Sequence, residues 1–222
     1  MASQQNLIVG YVGKKGSGKS YALKKFLGSK GTGLPRIVVF DVRSEYDFIP
    51  NRIEADLDDL RDFLDDNENK ERFAVAYIPA SPRDEIDEFC ELVFEYEHIL
   101  AVFEEVPAYS SAGSMPEGFE RLTLQARHRN LDIAYTSQRF AECPRSLTAQ
   151  TDAFVLFASR EPRDIEALIS RVGEETAKQV ATLPLHSAIT YDVEQGESRE
   201  GMDVPHDRLA STKFERHGFF VR

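Results

Sequence analysis

Strand-length apolar runs alternate with amphipathic stretches along most of this chain, and this order constrains its fold more than any other feature. The predicted strands cover residues 7–12, 36–41, 73–78, 99–103, 132–136 and 153–158, with an edge strand at 187–193. The predicted helices cover residues 56–66, 84–97, 116–129 and 162–172. Continuous apolar runs suit strands buried on both faces, and strands that alternate with helices form parallel sheets. We therefore predict a three-layer α/β/α fold with a mostly parallel central sheet.

The length of 222 residues suits one domain with a full hydrophobic core. We predict that this domain covers residues 1–195, because hydrophobic periodicity is lost from Gly196 onward. Residues 196–222 are then a C-terminal tail. Its last five residues, "GFFVR", are apolar enough to dock on the domain or to bind a partner.

Membrane and cysteine signals are both weak in this chain. No apolar run approaches the roughly 20 residues that a membrane-spanning helix needs, and the first residues lack the layout of a signal peptide. We therefore expect a cytoplasmic protein with no membrane span of its own. The two cysteines, Cys90 and Cys143, indicate neither a disulfide framework nor a zinc cluster.

The net charge of −11 argues at first against a nucleic-acid partner, but the charge is unevenly distributed. Residues 54–97 carry 16 acidic and 4 basic side chains, a net −12, which leaves the rest of the chain at +1. Basic residues gather at 14–25 and 121–145. Ordinary solvated surfaces would explain these basic clusters equally well. Charge alone therefore does not indicate a nucleic-acid partner, and the sequence motifs have to be considered.

The stretch "GKKGSGKS", residues 13–20, follows the first predicted strand, precedes a helical stretch and matches G-x-x-x-x-G-K-[ST]. Such a loop directs backbone N–H groups at phosphates, while Lys19 reaches the β- and γ-phosphates and Ser20 supplies a hydroxyl to Mg²⁺. A chance turn rich in glycine and lysine is disfavoured by the strand before it and the helix after it. We predict binding of ATP and Mg²⁺ by Gly13, Lys14, Lys15, Gly16, Ser17, Gly18, Lys19, Ser20 and Tyr21.

The apolar run "ILAVFEE" ends in two adjacent acids, Glu104 and Glu105. Glutamate is disfavoured in strands, but ligands bind at the carboxyl ends of strands in open α/β sheets. Adjacent strand residues face opposite ways, so two acids at a strand end can take different roles. We assign Glu104 to the metal and Glu105 to the attacking water. A solvated strand end is the alternative, and the nearby phosphate loop disfavours it.

The order of these motifs resembles that of a known superfamily. After "GKKGSGKS" come "FDVRSEYD", the paired acids, "QARHRNLDIAYTSQR" and "SLTAQTDAFVLF". Over residues 7–189 this order is similar to that of the HerA/FtsK superfamily of P-loop ATPases, and most similar to small genome-packaging ATPases of membrane-containing phages and related viruses. The resemblance implies a P-loop NTPase fold of the RecA/ASCE-like type.

The resemblance also implies roles for residues outside the phosphate loop. Gln138 in "TSQR" matches the polar residue that contacts the γ-phosphate and the attacking water. The family's arginine finger, which acts on a neighbouring subunit's nucleotide, maps onto Arg127 or Arg129. Asp41 is either a group that supports the site or a structural cap for "RSEY". Many superfamily members have aspartate where this chain has Glu104.

The function implied is an ATP-driven translocase of double-stranded DNA, assembled as a homo-oligomeric ring that we expect to be a hexamer and that packages a viral genome. Implied partners are viral capsid or portal-vertex proteins, and the implied locations are the host cytoplasm and the virion. Candidate contacts to DNA phosphates are Arg139, Arg145, Lys14 and Lys15. Three alternatives stay open: a virion-assembly or secretion ATPase of the zonular-occludens-toxin type, a small-molecule kinase, and a nucleotide-dependent switch.

Overall fold

A sheet of nine strands forms the centre of the part of the protein that the computed structural model describes, residues 6–28 and 36–204. The strands are β1 (Ile8–Val12), β2 (Arg36–Phe40), β3 (Asn51–Glu54), β4 (Phe73–Ile78), β5 (Leu100–Phe103), β6 (Asp132–Ser137), β7 (Ala153–Phe157), β8 (Ala188–Asp192) and β9 (Glu197–Glu200). Their order is β3-β4-β2-β5-β6-β1-β7-β8-β9. Strands β1 to β7 pair in parallel, whereas β8 and β9 join antiparallel.

Helices cover both faces of this sheet. They are α1 (Lys19–Gly28), α2 (Leu57–Asn67), α3 (Pro82–Phe94), α4 (Glu117–Gln125), α5 (Arg145–Gln150), α6 (Pro162–Val172) and α7 (Glu174–Thr182). One hydrophobic cluster packs α1 against one sheet face, and a larger cluster packs helices α2 to α7 against the other. The predicted three-layer α/β/α fold with a mostly parallel sheet is therefore confirmed.

The elements that sequence reasoning missed are mostly short and polar. Strands β3 and β9, "NRIE" and "ESRE", have few apolar residues because they lie at the two edges of the sheet. The strand predicted at 187–193 exists as β8, but the prediction that it is the edge was wrong because β9 pairs beyond it. The boundary predicted at residue 195 thus falls inside a hairpin. Most of the predicted tail, including "GFFVR", lies outside the described residues.

The strand order brings distant segments of the chain to one edge of the sheet. Strand β6 lies between β1, which leads into the phosphate loop, and β5, which leads into the acid pair. Strand β2 lies on the other side of β5. Because these four strands are parallel, the residues that follow each of them meet at the same edge. The candidate site is built there.

Candidate active site

The glycines of the phosphate loop occur where the backbone requires them. Gly16 and Gly18 have φ angles of 76° and 107°, a region that side chains with a Cβ rarely adopt. A Cβ at Gly13 would come within 2.5 Å of the Phe157 Cβ and 2.8 Å of the Ser17 Oγ. Within the described residues, the buried Ser17 Oγ has no hydrogen-bond partner. A tightly curled loop with an unused hydroxyl is suited to phosphate oxygens.

Lys19 is the buried cation of this loop. It is the first residue of α1, its side chain is buried, and the charges of both Glu104 and Glu105 act on it. Burial lowers the pKa of the Lys19 ammonium, and the charge of Glu105 opposes this effect more strongly than that of Glu104. Glu105 is thus the acid more strongly coupled to the phosphate loop.

Glu105 and Gln138 are in direct contact, although the sequence predicted contacts of Gln138 only to the γ-phosphate and the attacking water. The Gln138 side-chain amide donates to Glu105 Oε2 over 3.1 Å, and its backbone N–H donates to Oε1 over 3.3 Å. The Glu105 N–H donates to Thr136 Oγ1 over 2.8 Å. Glu105 has left-handed backbone angles, φ 47° and ψ 59°, where the chain leaves β5. Such strained backbone in a non-glycine residue is concentrated at functional sites.

Glu104 has different surroundings from its neighbour. Its side chain is buried, and Oε2 accepts the backbone N–H of Arg43 over 3.0 Å. Burial raises the pKa of Glu104 to about 8, the Arg43 hydrogen bond opposes the rise, and the Asp41 carboxyl adds to it. Asp41 itself accepts the backbone N–H groups of Glu45 and Tyr46 over 2.9 and 3.0 Å. The cap predicted for "RSEY" is therefore present, and it also lies against Glu104.

The raised pKa of Glu104 predicts how stability depends on pH. The ordinary pKa of Glu104 is 4.5, and its pKa in the folded protein is about 8. Between these two pH values, with no nucleotide or metal bound, the folded protein keeps a proton on Glu104 that the unfolded chain has already released. The contribution of this proton to folding stability is fully present below the pKa of Glu104 in the unfolded chain. It is lost as pH rises through the pKa of Glu104 in the folded protein. We expect Glu104→Gln to remove this loss, so that the variant gains roughly 4 kcal/mol relative to wild type on going from about pH 5 to about pH 9.

Chemical denaturation of both proteins across that range measures this difference. Glu91→Gln, at an exposed position of α3, is a matched control and should follow the wild-type curve. Parallel curves for wild type and Glu104→Gln would contradict the assignment of the proton to Glu104.

The donor atoms near the phosphate loop suit a metal held together with a nucleotide. Mg²⁺ prefers oxygen ligands and is often bound by one or two protein oxygens plus phosphates. Ser20 offers a hydroxyl and Glu104 a carboxylate once its proton is lost. Within residues 6–28 and 36–204, no group of three or more His, Cys, Asp or Glu residues is placed to hold a metal alone. The residues thus fit Mg²⁺ brought with ATP, and the individual metal ligands remain predictions.

The arginine-finger candidates are remote from their own subunit's site. Arg127 and Arg129 lie in a short 3-10 helix before β6, whereas Gln138 follows the far end of that strand. A six-residue strand places these ends roughly 20 Å apart. Arg129 Nη1 lies 3.3 Å from Glu97 Oε1, and the guanidinium covers the Phe94 ring. Neither arginine therefore serves the nucleotide of its own subunit, and the role across an interface stays a prediction.

Arg139 is engaged in a way that its prediction as a DNA contact did not include. Its guanidinium lies 2.9 Å from the buried carboxylate of Asp164, 3.5 Å from Glu161 and 3.9 Å from Glu142. A cation surrounded by three carboxylates is largely neutralised, so its attraction for a DNA phosphate is weak. The DNA contact by Arg139 stays a prediction, and these ion pairs weigh against it. The other candidate contacts, Lys14, Lys15 and Arg145, lie at exposed positions.

Arg43 is the main site residue that sequence reasoning missed. It follows β2 in "FDVRSEYD", and its Nη2 lies 3.3 Å from Glu105 Oε2. The order of the strands could have indicated this residue. Because β2 is parallel to β5, the residues that follow both strands must meet at one edge of the sheet.

A second missed feature is a cavity of about 510 Å³ beside the phosphate loop. It is lined by Gly16, Gly18, Lys19, Ser20, Tyr21, His186 and Met202. His186 has a left-handed φ of 65°, and its Nδ1 would lie 3.7 Å from a Cβ placed at Gly18. Tyr21 is largely exposed next to this cavity. The cavity has the size of a small-molecule site and adjoins the phosphate loop.

The sequence matches no protein-family model and no curated protein sequence. Solved structures do match. The genome packaging NTPase B204 from Sulfolobus turreted icosahedral virus 2, solved in complex with AMPPCP, has a TM-score of 0.73 at 22% identity, covering 88% of this chain and 96% of its own. VirB4 of Thermoanaerobacter pseudethanolicus has a TM-score of 0.64 at 11% identity, with 90% of each chain covered.

The N-terminal domain of zonular occludens toxin from Neisseria meningitidis is also similar, with a TM-score of 0.51 at 13% identity over 88% of this chain and 93% of its own. These likenesses extend over nearly the whole length of each compared chain. The resemblance predicted from the motifs is thus confirmed at the level of the fold, and the chain has the P-loop NTPase fold shared by the packaging NTPase B204 and VirB4.

Proposed function

We propose that this protein hydrolyses ATP to translocate double-stranded DNA, and that it serves as a viral genome-packaging motor. The observation that carries the proposal is the convergence of Lys19, Glu105 and Gln138 at one sheet edge. In this arrangement Lys19 neutralises the β- and γ-phosphates, and Glu105 takes the proton of the attacking water. Gln138 contacts the γ-phosphate and the attacking water, and it links the positions of these two groups to the end of β6.

ATP with Mg²⁺ is the proposed substrate. The structures of B204 in complex with AMPPCP, with ATP-gammaS, with AMP and with sulfate support nucleotide and anion binding by this fold. When bound, Mg²⁺ would offset the negative charge that develops on the phosphates during hydrolysis. Ser20 and Glu104 are the residues of this chain proposed to hold it.

A homo-oligomeric ring, proposed to be a hexamer, would complete each site. Neither Arg127 nor Arg129 lies near the nucleotide site of its own subunit, so either of them could act as an arginine finger only on a neighbour's nucleotide. Lys14, Lys15 and Arg145 are the exposed cations proposed to contact DNA phosphates, while the acidic 54–97 segment would face away from DNA. Viral capsid or portal-vertex proteins are the proposed docking partners, in the host cytoplasm or at the virion.

Stimulation of ATP hydrolysis by duplex DNA tests this function. We expect the release of inorganic phosphate from ATP to rise severalfold when duplex DNA is added at low salt. Contacts between the protein and the DNA phosphates should favour the assembled ring, in which each site is complete. Raising salt from about 50 to about 200 mM should remove most of the stimulation, since these contacts release counterions. Hydrolysis that never responds to duplex DNA in an assembled oligomer would overturn the proposal.

Mixing two inactive variants tests the arginine across the interface. Arg129→Ala keeps its own phosphate loop, and Lys19→Ala keeps its arginine, so a mixed ring contains some complete interfaces. We expect each variant alone to be nearly inactive and the mixture to regain measurable ATPase activity. The same mixture made with Arg127→Ala distinguishes the two candidates. No rescue with either variant would exclude an arginine in trans from this segment.

An assembly or secretion ATPase of the zonular-occludens-toxin type is the second candidate. The solved toxin domain shares the fold, but its TM-score of 0.51 is below the 0.73 of the packaging NTPase. In the described part of the chain, no helix is long and apolar enough to cross a membrane. ATPase activity stimulated by lipid vesicles and unaffected by duplex DNA would favour this candidate.

A further inference from the structure

We propose that Arg43 binds the γ-phosphate of ATP within its own subunit, and that Glu105 holds the same guanidinium when the site contains no nucleotide. This inference rests on the proposed function, because it takes ATP at the phosphate loop as given. It adds an arginine in cis to the arginine expected from a neighbouring subunit.

The backbone at Arg43 is fixed from two sides. Its N–H donates to the buried Glu104 carboxylate over 3.0 Å. The turn that follows is capped by Asp41, which is fully buried and accepts the N–H groups of Glu45 and Tyr46. In contrast, the Arg43 side chain is 37% exposed. A fixed backbone with a partly exposed side chain allows the guanidinium to exchange partners without a movement of the loop.

The guanidinium faces the phosphate loop. Its Nη2 lies 3.3 Å from Glu105 Oε2, on the acid that is most strongly coupled to Lys19. Burial is the main cause of the lowered Lys19 pKa, and the positive charge of Arg43 lowers this pKa further. Arg43 is thus paired with the same acid that acts electrostatically on Lys19, so an anion bound between the phosphate loop and Glu105 would meet both cations. In a P-loop NTPase, the γ-phosphate lies between the loop lysine and the water-activating acid.

ATP offers Arg43 a better partner than Glu105 does. A terminal phosphate has more negative charge and more acceptor oxygens than one carboxylate, and the guanidinium fork can bind two of those oxygens at once. In the structure, Glu105 Oε2 is contacted by both Arg43 and the Gln138 amide. Transfer of Arg43 to the γ-phosphate removes one of these donors, so that Oε2 can accept a proton from water. ADP lacks the γ-phosphate and restores the pair.

Comparison of an ATP analogue with ADP tests this proposal. Binding of Mg²⁺-AMPPCP and Mg²⁺-ADP would be measured by equilibrium titration for wild type, Arg43→Ala, Arg43→Lys and Arg61→Ala. We expect Arg43→Ala to weaken AMPPCP binding about tenfold while ADP binding stays within about twofold of wild type, the loss expected for one charge-assisted contact. Arg43→Lys should recover part of the loss, because it keeps the charge and loses the fork.

Arg61→Ala is the matched control, since Arg61 is similarly exposed and paired with Glu95 on the helical surface. It should bind both nucleotides like wild type. Equal losses for AMPPCP and ADP in Arg43→Ala would mean a structural role and overturn the proposal. Unchanged AMPPCP binding would also overturn it, even if ATP hydrolysis rose, because Arg43 would then only restrain Glu105.

These outcomes are separable from failure of the proposed function. A wild-type protein that binds neither nucleotide would contradict nucleotide binding at the phosphate loop itself. A wild-type protein that binds both nucleotides but hydrolyses no ATP would contradict the ATPase proposal, while the difference between AMPPCP and ADP would still report on Arg43.

Discussion

Replacement of Glu105 by Gln is expected to lower kcat for ATP hydrolysis by roughly a thousandfold, within the range that general bases contribute. Glutamine keeps nearly the same shape and can still contact Gln138, but it cannot accept a proton from water. Binding of Mg²⁺-ATP should persist, because the phosphate loop and Lys19 are unchanged. Single-turnover hydrolysis together with equilibrium ATP binding separates the two effects.

Two variants complete the Glu105→Gln experiment. Glu175→Gln changes an exposed glutamate of α7 and should hydrolyse ATP at the wild-type rate. Glu104→Gln tests the division of roles within the acid pair: it should raise the Mg²⁺ concentration needed for activity, which Glu105→Gln should not. If Glu105→Gln kept most of the activity and Glu104→Gln lost it, the two assignments would have to be exchanged.

Replacement of Lys19 by Ala is expected to weaken binding of both ATP and ADP by roughly a hundredfold and to abolish hydrolysis. Lys19 is buried in the phosphate loop and is the cation placed to contact two phosphates at once. Burial lowers the pKa of its ammonium, so folding places this charge there at a cost. The variant should therefore unfold at a temperature no lower than that of wild type in the absence of nucleotide.

Lys25→Ala, an exposed lysine in the last turn of the same helix, is the matched control for Lys19→Ala. It should bind nucleotide normally, because it lies away from the phosphate loop. Thermal unfolding with and without Mg²⁺-ADP measures both properties in one experiment. A Lys19→Ala protein that ADP stabilises as strongly as it stabilises wild type would contradict the assignment of the phosphate site.

The parts of the site that the sequence predicted are those that local patterns encode. The loop at residues 13–20 needs glycines for its backbone, and the acid pair interrupts an apolar run, so both are visible without coordinates. The resemblance pointed to Gln138 as a site residue, but its hydrogen bond to Glu105 was not predicted and is seen only in the structure. Burial of the parallel strands made the core strands clear, because each is a nearly continuous apolar run.

The features that the sequence did not predict depend on contacts between distant segments. Arg43 is 62 positions from Glu105, and only the pairing of β2 with β5 brings the two together. Arg139 has the charge of a DNA contact, but Asp164 from another element neutralises it. The edge strands β3 and β9 have polar sequences because one side of each pairs with no neighbour in the described sheet. Such features require the fold before they can be recognised.

Displacement of a third strand from duplex DNA tests the central claim most directly. A translocase that moves along a duplex removes a triplex-forming oligonucleotide bound ahead of it, and this removal requires ATP hydrolysis and not ATP binding alone. We predict that the wild-type oligomer displaces the third strand with Mg²⁺-ATP, and that neither wild type with AMPPCP nor Glu105→Gln with ATP does so. Normal DNA-stimulated ATP hydrolysis without any displacement would contradict translocation on duplex DNA.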